Sequence, residues 1–127
     1  MENNSDYETV EYHLVYSELV RAARHRGTVT YQELAHVVGL PLSGNYMGSR
    51  IGDILGTISE NEVNQGRPML SAIAVGVNGK AGGGFFSWAR ELGLIDNDNS
   101  EDEQDFWEDQ VQQIYDLWKQ KFYVKKT

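Results

Sequence analysis

The 127-residue chain has no cysteine, only two prolines and only three histidines. Without a thiol there is no disulfide framework, no thiolate nucleophile and no cysteine-based zinc site. Histidines at 13, 25 and 36 are too dispersed for a His-only metal centre, so no cofactor is expected. No apolar run approaches the roughly 20 residues of a membrane span, the longest lying around Ile73, Ala74 and Val75, and no membrane partner is expected. Met1 is followed by Glu2, Asn3, Asn4, Ser5 and Asp6, with neither the basic nor the apolar region of a secretory signal, which gives a cytoplasmic expectation. Positive charge is also scarce. The 11 Lys and Arg stand against 19 Asp and Glu, for a net charge of -8, and phosphate binding is driven by Lys and Arg that release counterions. The deficit is uneven: residues 1–90 hold seven basic and nine acidic residues, and residues 91–127 hold four and ten.

What is present reads as one globular core. Hydrophobic residues make up 40% and charged residues 24%, and a chain of this size buries about two-thirds of its unfolded surface, enough to fold without metal or disulfide. Residues 1–95 are expected to form the main domain, with an acidic loop and C-terminal helix over 96–127 packing on it.

Ser5-Asp6-Tyr7-Glu8 has the spacing of a capping box, and Val10, Leu14, Val15, Leu19, Ala22 and Ala23 follow at helical spacing up to Gly27. Arg24, His25 and Arg26 then fall in the last turn, where positive charge complements the helix dipole; a phosphate site is the alternative. Thr30-Tyr31-Gln32-Glu33 is a second capping box, leading a short helix that Gly39 stops. After a turn at Pro41 to Gly44, Met47, Ile51, Ile54, Leu55 and Ile58 line a third helix, giving a helix-turn-helix. Asn61 to Pro68 reads as a polar loop, Leu70 to Val77 as a strand, and Asn78-Gly79 as a hairpin turn into a glycine-rich wing. Phe85, Phe86, Trp88, Ala89 and Leu92 make a short helix closed by Gly93. A last helix opens at Ser100 and packs through Phe106, Trp107, Val111, Ile114, Tyr115, Trp118 and Phe122. The fold class is thus mostly α with a small β-hairpin, a winged-helix core and a C-terminal amphipathic helix.

Four segments of this core resemble, in register, the DNA alkylguanine alkyltransferases and the alkyltransferase-like proteins. Gly27-Thr28-Val29-Thr30-Tyr31-Gln32-Glu33-Leu34-Ala35 with Gly39 is similar to their Gly-x-Val-x-Tyr-x-x-Leu-Ala segment, and Ser49-Arg50-Ile51-Gly52 to the Ala-Arg-x-Val-Gly of their recognition helix. Arg67-Pro68-Met69-Leu70-Ser71-Ala72-Ile73-Ala74 stands where the family has its Pro-Cys-His-Arg-Val-Val active-site segment, and the glycines up to Phe85 match its glycine turn. Met69 replaces the alkyl-accepting Cys and Leu70 the proton-relaying His. A thioether has no proton to lose, so alkyl transfer is excluded and no enzymatic activity is expected.

The resemblance implies a phosphate contact for Tyr31 and entry of Arg50 into the duplex in place of a rotated base. Asn45, Tyr46, Ser49 and Arg67 are candidate hydrogen-bonders to the same DNA, and Pro68, Met69, Leu70 and Gly83 candidate walls of a base or small-ligand pocket. Each residue has a plainer reading. The Tyr31 hydroxyl caps a backbone group, and Arg50 pairs with Asp53 or Glu60 on the surface. Trp88, Trp107 and Trp118 lie at helical spacing among apolar positions and read as core. Glu60 with Glu62, the Asp96-Asn97-Asp98-Asn99 run and Ala81-Gly82-Gly83-Gly84 lack the partners that acid–base, calcium or phosphate-loop chemistry needs. The expected partner is duplex DNA or a modified base; the alternative is a protein, docked through the third-helix face or the acidic and aromatic C-terminal segment, or a DNA-binding enzyme deceived by that acid. A negative third-helix face favours a protein, and a positive one favours DNA.

Overall fold

The computed structural model describes residues 9–40, 45–96 and 100–121, with backbone alone at 45–47, 100 and 101, and within them the chain is mostly helical. Helix α1 (Val10–Arg24) starts at Thr9, whose hydroxyl accepts from the Tyr12 amide at 3.0 Å; the capping box expected at Ser5 to Glu8 lies outside the described residues. Its buried face is Tyr12, Val15, Leu19, Ala22 and Ala23, while Val10 and Leu14, expected inside, are exposed. The helix closes with the Gly27 amide donating to the Ala22 carbonyl at 2.8 Å, and Arg26 takes the left-handed position at φ 58°.

Strand β1 (Val29–Thr30) runs directly into α2 (Tyr31–Val38). The expected capping box is made in full: Thr30 Oγ1 accepts from the Glu33 amide, and the Glu33 carboxylate accepts from the Thr30 amide. Gly39, at φ 80°, ends the helix as its lack of a Cβ permits. The turn at 41–44 lies outside the described residues.

Helix α3 (Asn45–Asn64) buries Ile51, Ile54, Leu55 and Ile58 completely. It runs through the first four residues of the expected Asn61 to Pro68 loop, because polar side chains continue its inner face with partners. Ser59 Oγ donates to Ser71 Oγ at 2.6 Å. Glu62, 1% exposed, accepts from both Nε and Nη2 of Arg67 (2.8 and 2.9 Å) and from the Tyr16 hydroxyl (3.1 Å). A buried carboxylate is tolerable only with such pairing.

The expected strand Leu70 to Val77 is mostly something else. Leu70–Ile73 is a 3-10 helix, and only Ala74–Val75 forms a strand, β2. An apolar run of this length has no period of its own to decide between the two, and β1 offers only two residues to pair with. The pairing is parallel, Val29 with Ala74 and Thr30 with Val75, so the sheet is not the expected hairpin. The turn at Asn78-Gly79 does form, with Gly79 at φ 78°, but it closes on a single antiparallel bridge between Val75 and Ala81.

Helices α4 (Gly84–Glu91) and α5 (Ser100–Trp118) complete the molecule. The inner face of α5 buries Ile114 and reaches into the core with polar groups. Gln110 Oε1 accepts from the Met69 amide at 2.8 Å, and Trp107 Nε1 donates to the Ala72 carbonyl at 2.8 Å. No helix among the described residues is long and apolar enough to cross a membrane.

Candidate functional site: a groove between α3 and α4

Three glycines recur at four-residue spacing along α3, Gly48, Gly52 and Gly56, and therefore share one face of it. Gly56 and Gly84 lie against Trp88: a Cβ would be a tight 3.0 Å from Trp88 Nε1 at position 56, and at position 84 it would lie 2.8 Å from Trp88 Cζ2, close enough that the ring would have to move. Gly48 and Gly52 face open space. Bare backbone thus floors a groove, and the half-buried Trp88 of α4 forms a wall. One section, of about 340 Å³, is lined by Tyr31, Gly48, Ser49, Gly83 and Gly84; the other, of about 460 Å³, by Gly56, Thr57, Glu60, Glu91 and Leu92. Gly52, Asp53 and Trp88 belong to both, so the two adjoin along α3.

The charge of the groove has one sign. Asp53, Glu60 and Glu91 line it, all three are exposed, and among the described residues no Lys or Arg does so. None of the three carboxylates forms an ion pair with another described residue. At the far end burial pushes the Tyr31 phenol up from its ordinary pKa, so the hydroxyl keeps its proton and remains a donor. Neither that hydroxyl nor the Trp88 indole N–H has a hydrogen-bond partner among the described residues.

The residues singled out in the sequence divide into those the fold brings together and those it separates. Tyr31, Ser49 and Gly83 line the same section of the groove. Asn45 and Tyr46 belong to the first turn of α3, with side chains outside the description. Arg50 turns toward α1, where Nε and Nη2 donate to Glu11 Oε1 at 3.2 and 2.5 Å; its partner is neither Asp53 nor Glu60. Tyr31 does not cap a backbone group; its ring packs on Gly82. Arg67 sits beside Glu62, about 20 Å along α3 from Ser49. The expected pocket of Pro68, Met69, Leu70 and Gly83 is not formed. Met69 and Leu70 are fully buried in the core, where a thioether and an isobutyl group belong, while Pro68 lines a separate notch with Arg67 and Gln110.

No protein-family model, curated protein or solved structure matches this chain. The site must therefore be read from its own chemistry. Sequence reasoning missed Trp88 as a wall and Glu60 and Glu91 as a pair across the groove. The signal for the floor was present as the Gly-x-x-x-Gly-x-x-x-Gly spacing of residues 48–56, overlooked because the apolar stripe of the same helix defines the opposite, buried face.

Proposed function

We propose that the chain is a non-catalytic binding module whose working surface is the α3–α4 groove and whose partner is a protein segment carrying Lys or Arg. The observation that carries this reading is the lining of the groove: among the described residues it holds three exposed carboxylates that form no ion pair, and no cation. A duplex backbone placed there would meet like charge, and the basic residues on the adjoining turns, Arg50 and Arg90, are engaged by Glu11 and Glu103. A basic segment meets complementary charge, a floor without side chains that lets its backbone approach closely, and two donors, Tyr31 and Trp88, that have no partner among the described residues. The absence of cysteine removes the chemistry of the alkyltransferases, and with it the reason to expect turnover.

A second reading, recognition of a modified base, draws support from one observation. Tyr31, Ser49 and Gly83, three positions matched by the alkyltransferase-like register, converge on one concavity large enough for a nucleobase.

Titration of the ¹⁵N-labelled protein with a deca-lysine peptide, and separately with a 15-base-pair duplex, distinguishes the two. The protein reading expects the peptide to move the Gly52, Gly56 and Trp88 indole resonances and to lose affinity in Asp53→Asn/Glu60→Gln. Shifts confined to α5 would overturn it, and shifts of Tyr31 and Ser49 with the duplex alone would install the second reading.

A further inference from the structure

A concentration of the opposite charge lies elsewhere on the molecule. Residues 19–32 and 117–127 contain no Asp or Glu, yet they hold seven of the chain's eleven Lys and Arg. The fold joins the described parts of these two stretches. The Gln120 amide donates to the Arg24 carbonyl at 3.3 Å, and the Tyr115 hydroxyl donates to the Gly27 carbonyl at 3.0 Å. Arg24, Arg26, Lys119 and Lys121 are all exposed there, and none forms an ion pair with another described residue. None of them lines the α3–α4 groove.

Helix dipoles account for part of this arrangement, since the C-termini of α1 and α5 meet here and cations offset their partial negative charge. They do not account for Arg26. It occupies the left-handed position that follows a helix, at φ 58°, where chains ordinarily place glycine because an L side chain is strained there. Gly27, the next residue, does not take a positive φ. The Arg26 side chain makes no hydrogen bond with a described residue, so folding gains nothing visible from keeping an arginine at the strained position.

We propose that Arg24, Arg26, Lys119 and Lys121 form a phosphate-binding surface for a nucleic-acid backbone. Phosphate fits better than an acidic protein because these four residues, and Thr28 and Gln120 beside them, are polar, and Leu117 is the one large apolar side chain exposed among the described residues of the two stretches. A protein interface draws its affinity from buried aromatic or aliphatic anchors, whereas a polyanion binds by counterion release with no apolar burial. The acids of α5 do not cancel the patch. The nearest in sequence, Asp116, accepts from Gln112 at 3.0 Å and so leans back along the helix, away from Lys119. Beyond about 8 Å, physiological salt screens the remainder. The surface is independent of the groove and stands or falls apart from it.

The test is fluorescence anisotropy of the full chain with labelled 20-nucleotide duplex and single-stranded DNA and with a fluorescent oligoglutamate of equal charge. Binding of the nucleic acids is expected at 20 mM salt, falling on the order of a thousandfold by 200 mM if three or four phosphates are contacted. Arg26→Gly relieves the left-handed strain, so its melting temperature should not fall while its affinity drops several-fold; Lys119→Gln/Lys121→Gln should drop further. Absence of binding at 20 mM salt, unchanged affinity in Arg26→Gly and in the double lysine variant, or tighter binding of oligoglutamate than of either nucleic acid would each overturn the assignment.

Discussion

Tyr31 packs on Gly82 so closely that a methyl group at position 82 would collide with the tyrosine hydroxyl and lie 2.5 Å from Cζ of the ring and 2.8 Å from Cε1. Gly82 has an ordinary backbone conformation, so it is the aromatic contact and not the turn that excludes a side chain there. Gly82→Ala should destabilise the protein by about 1–3 kcal/mol through overpacking, and Gly82→Ala/Tyr31→Ala should recover part of that loss. Urea denaturation of both variants measures it. A single variant as stable as the parent would show that the ring yields freely, and Tyr31 would then not define the end of the groove.

Along α3 the same substitution should act with opposite signs. Gly52→Ala adds a methyl to open space and removes the entropic cost of glycine in a helix interior, so it should stabilise the free protein by about 0.5–1 kcal/mol. Gly56→Ala meets the Trp88 indole and should destabilise. Gly52→Leu should leave folding intact and weaken capture of a basic peptide. Equal stability changes at positions 52 and 56 would contradict the packing described.

Met69→Cys introduces a thiol that should be unreactive in the folded protein. Position 69 is fully buried, and its neighbour Leu70, also buried, offers no base to activate a thiol. The new thiol should resist a water-soluble disulfide reagent in the native state and react at once after denaturation. Rapid native labelling would mean that a concavity opens at position 69 after all.

Burial of Tyr16 beside Glu62 gives the protein an alkaline limit. Burial first, and then the charge and hydrogen bond of Glu62, raise the Tyr16 pKa from 10.0 to about 12. The folded state therefore favours the neutral phenol more than the unfolded state does. Its contribution is complete below pH 10 and fades as pH climbs from 10 to 12. Tyr16→Phe should flatten that part of the stability profile, followed by denaturant midpoints between pH 9 and 12; an unchanged slope would assign the alkaline loss to other groups.

The helices were legible because their signals are local. Thr30 with Glu33, Gly39, Gly93 and the Ile51, Ile54, Leu55, Ile58 stripe each follow from spacing alone, and all four are realised. What was illegible depends on partners far along the chain. Whether Leu70 to Ile73 extends or coils is decided by Ser59, Trp107 and Gln110, which come from two other helices. That Glu62 continues the inside of α3 depends on Tyr16, 46 positions away. Arg50 finds its carboxylate on α1, 39 positions back. The site suffered most, since a groove is a relation between two surfaces, and the glycines of one give no hint of the tryptophan on the other.

The two contacts that α5 sends into the core, Gln110 to the Met69 amide and Trp107 to the Ala72 carbonyl, set how far the polypeptide can be shortened. A fragment ending near residue 95 would leave both main-chain groups without their partners, at about 1–3 kcal/mol each, and would strip the cover from Ile73 and its neighbours. Such a fragment should be molten or insoluble, and adding residues 96–121 as a separate peptide should rescue it. The final helix is thereby part of the minimal folding unit and not an appendage to it.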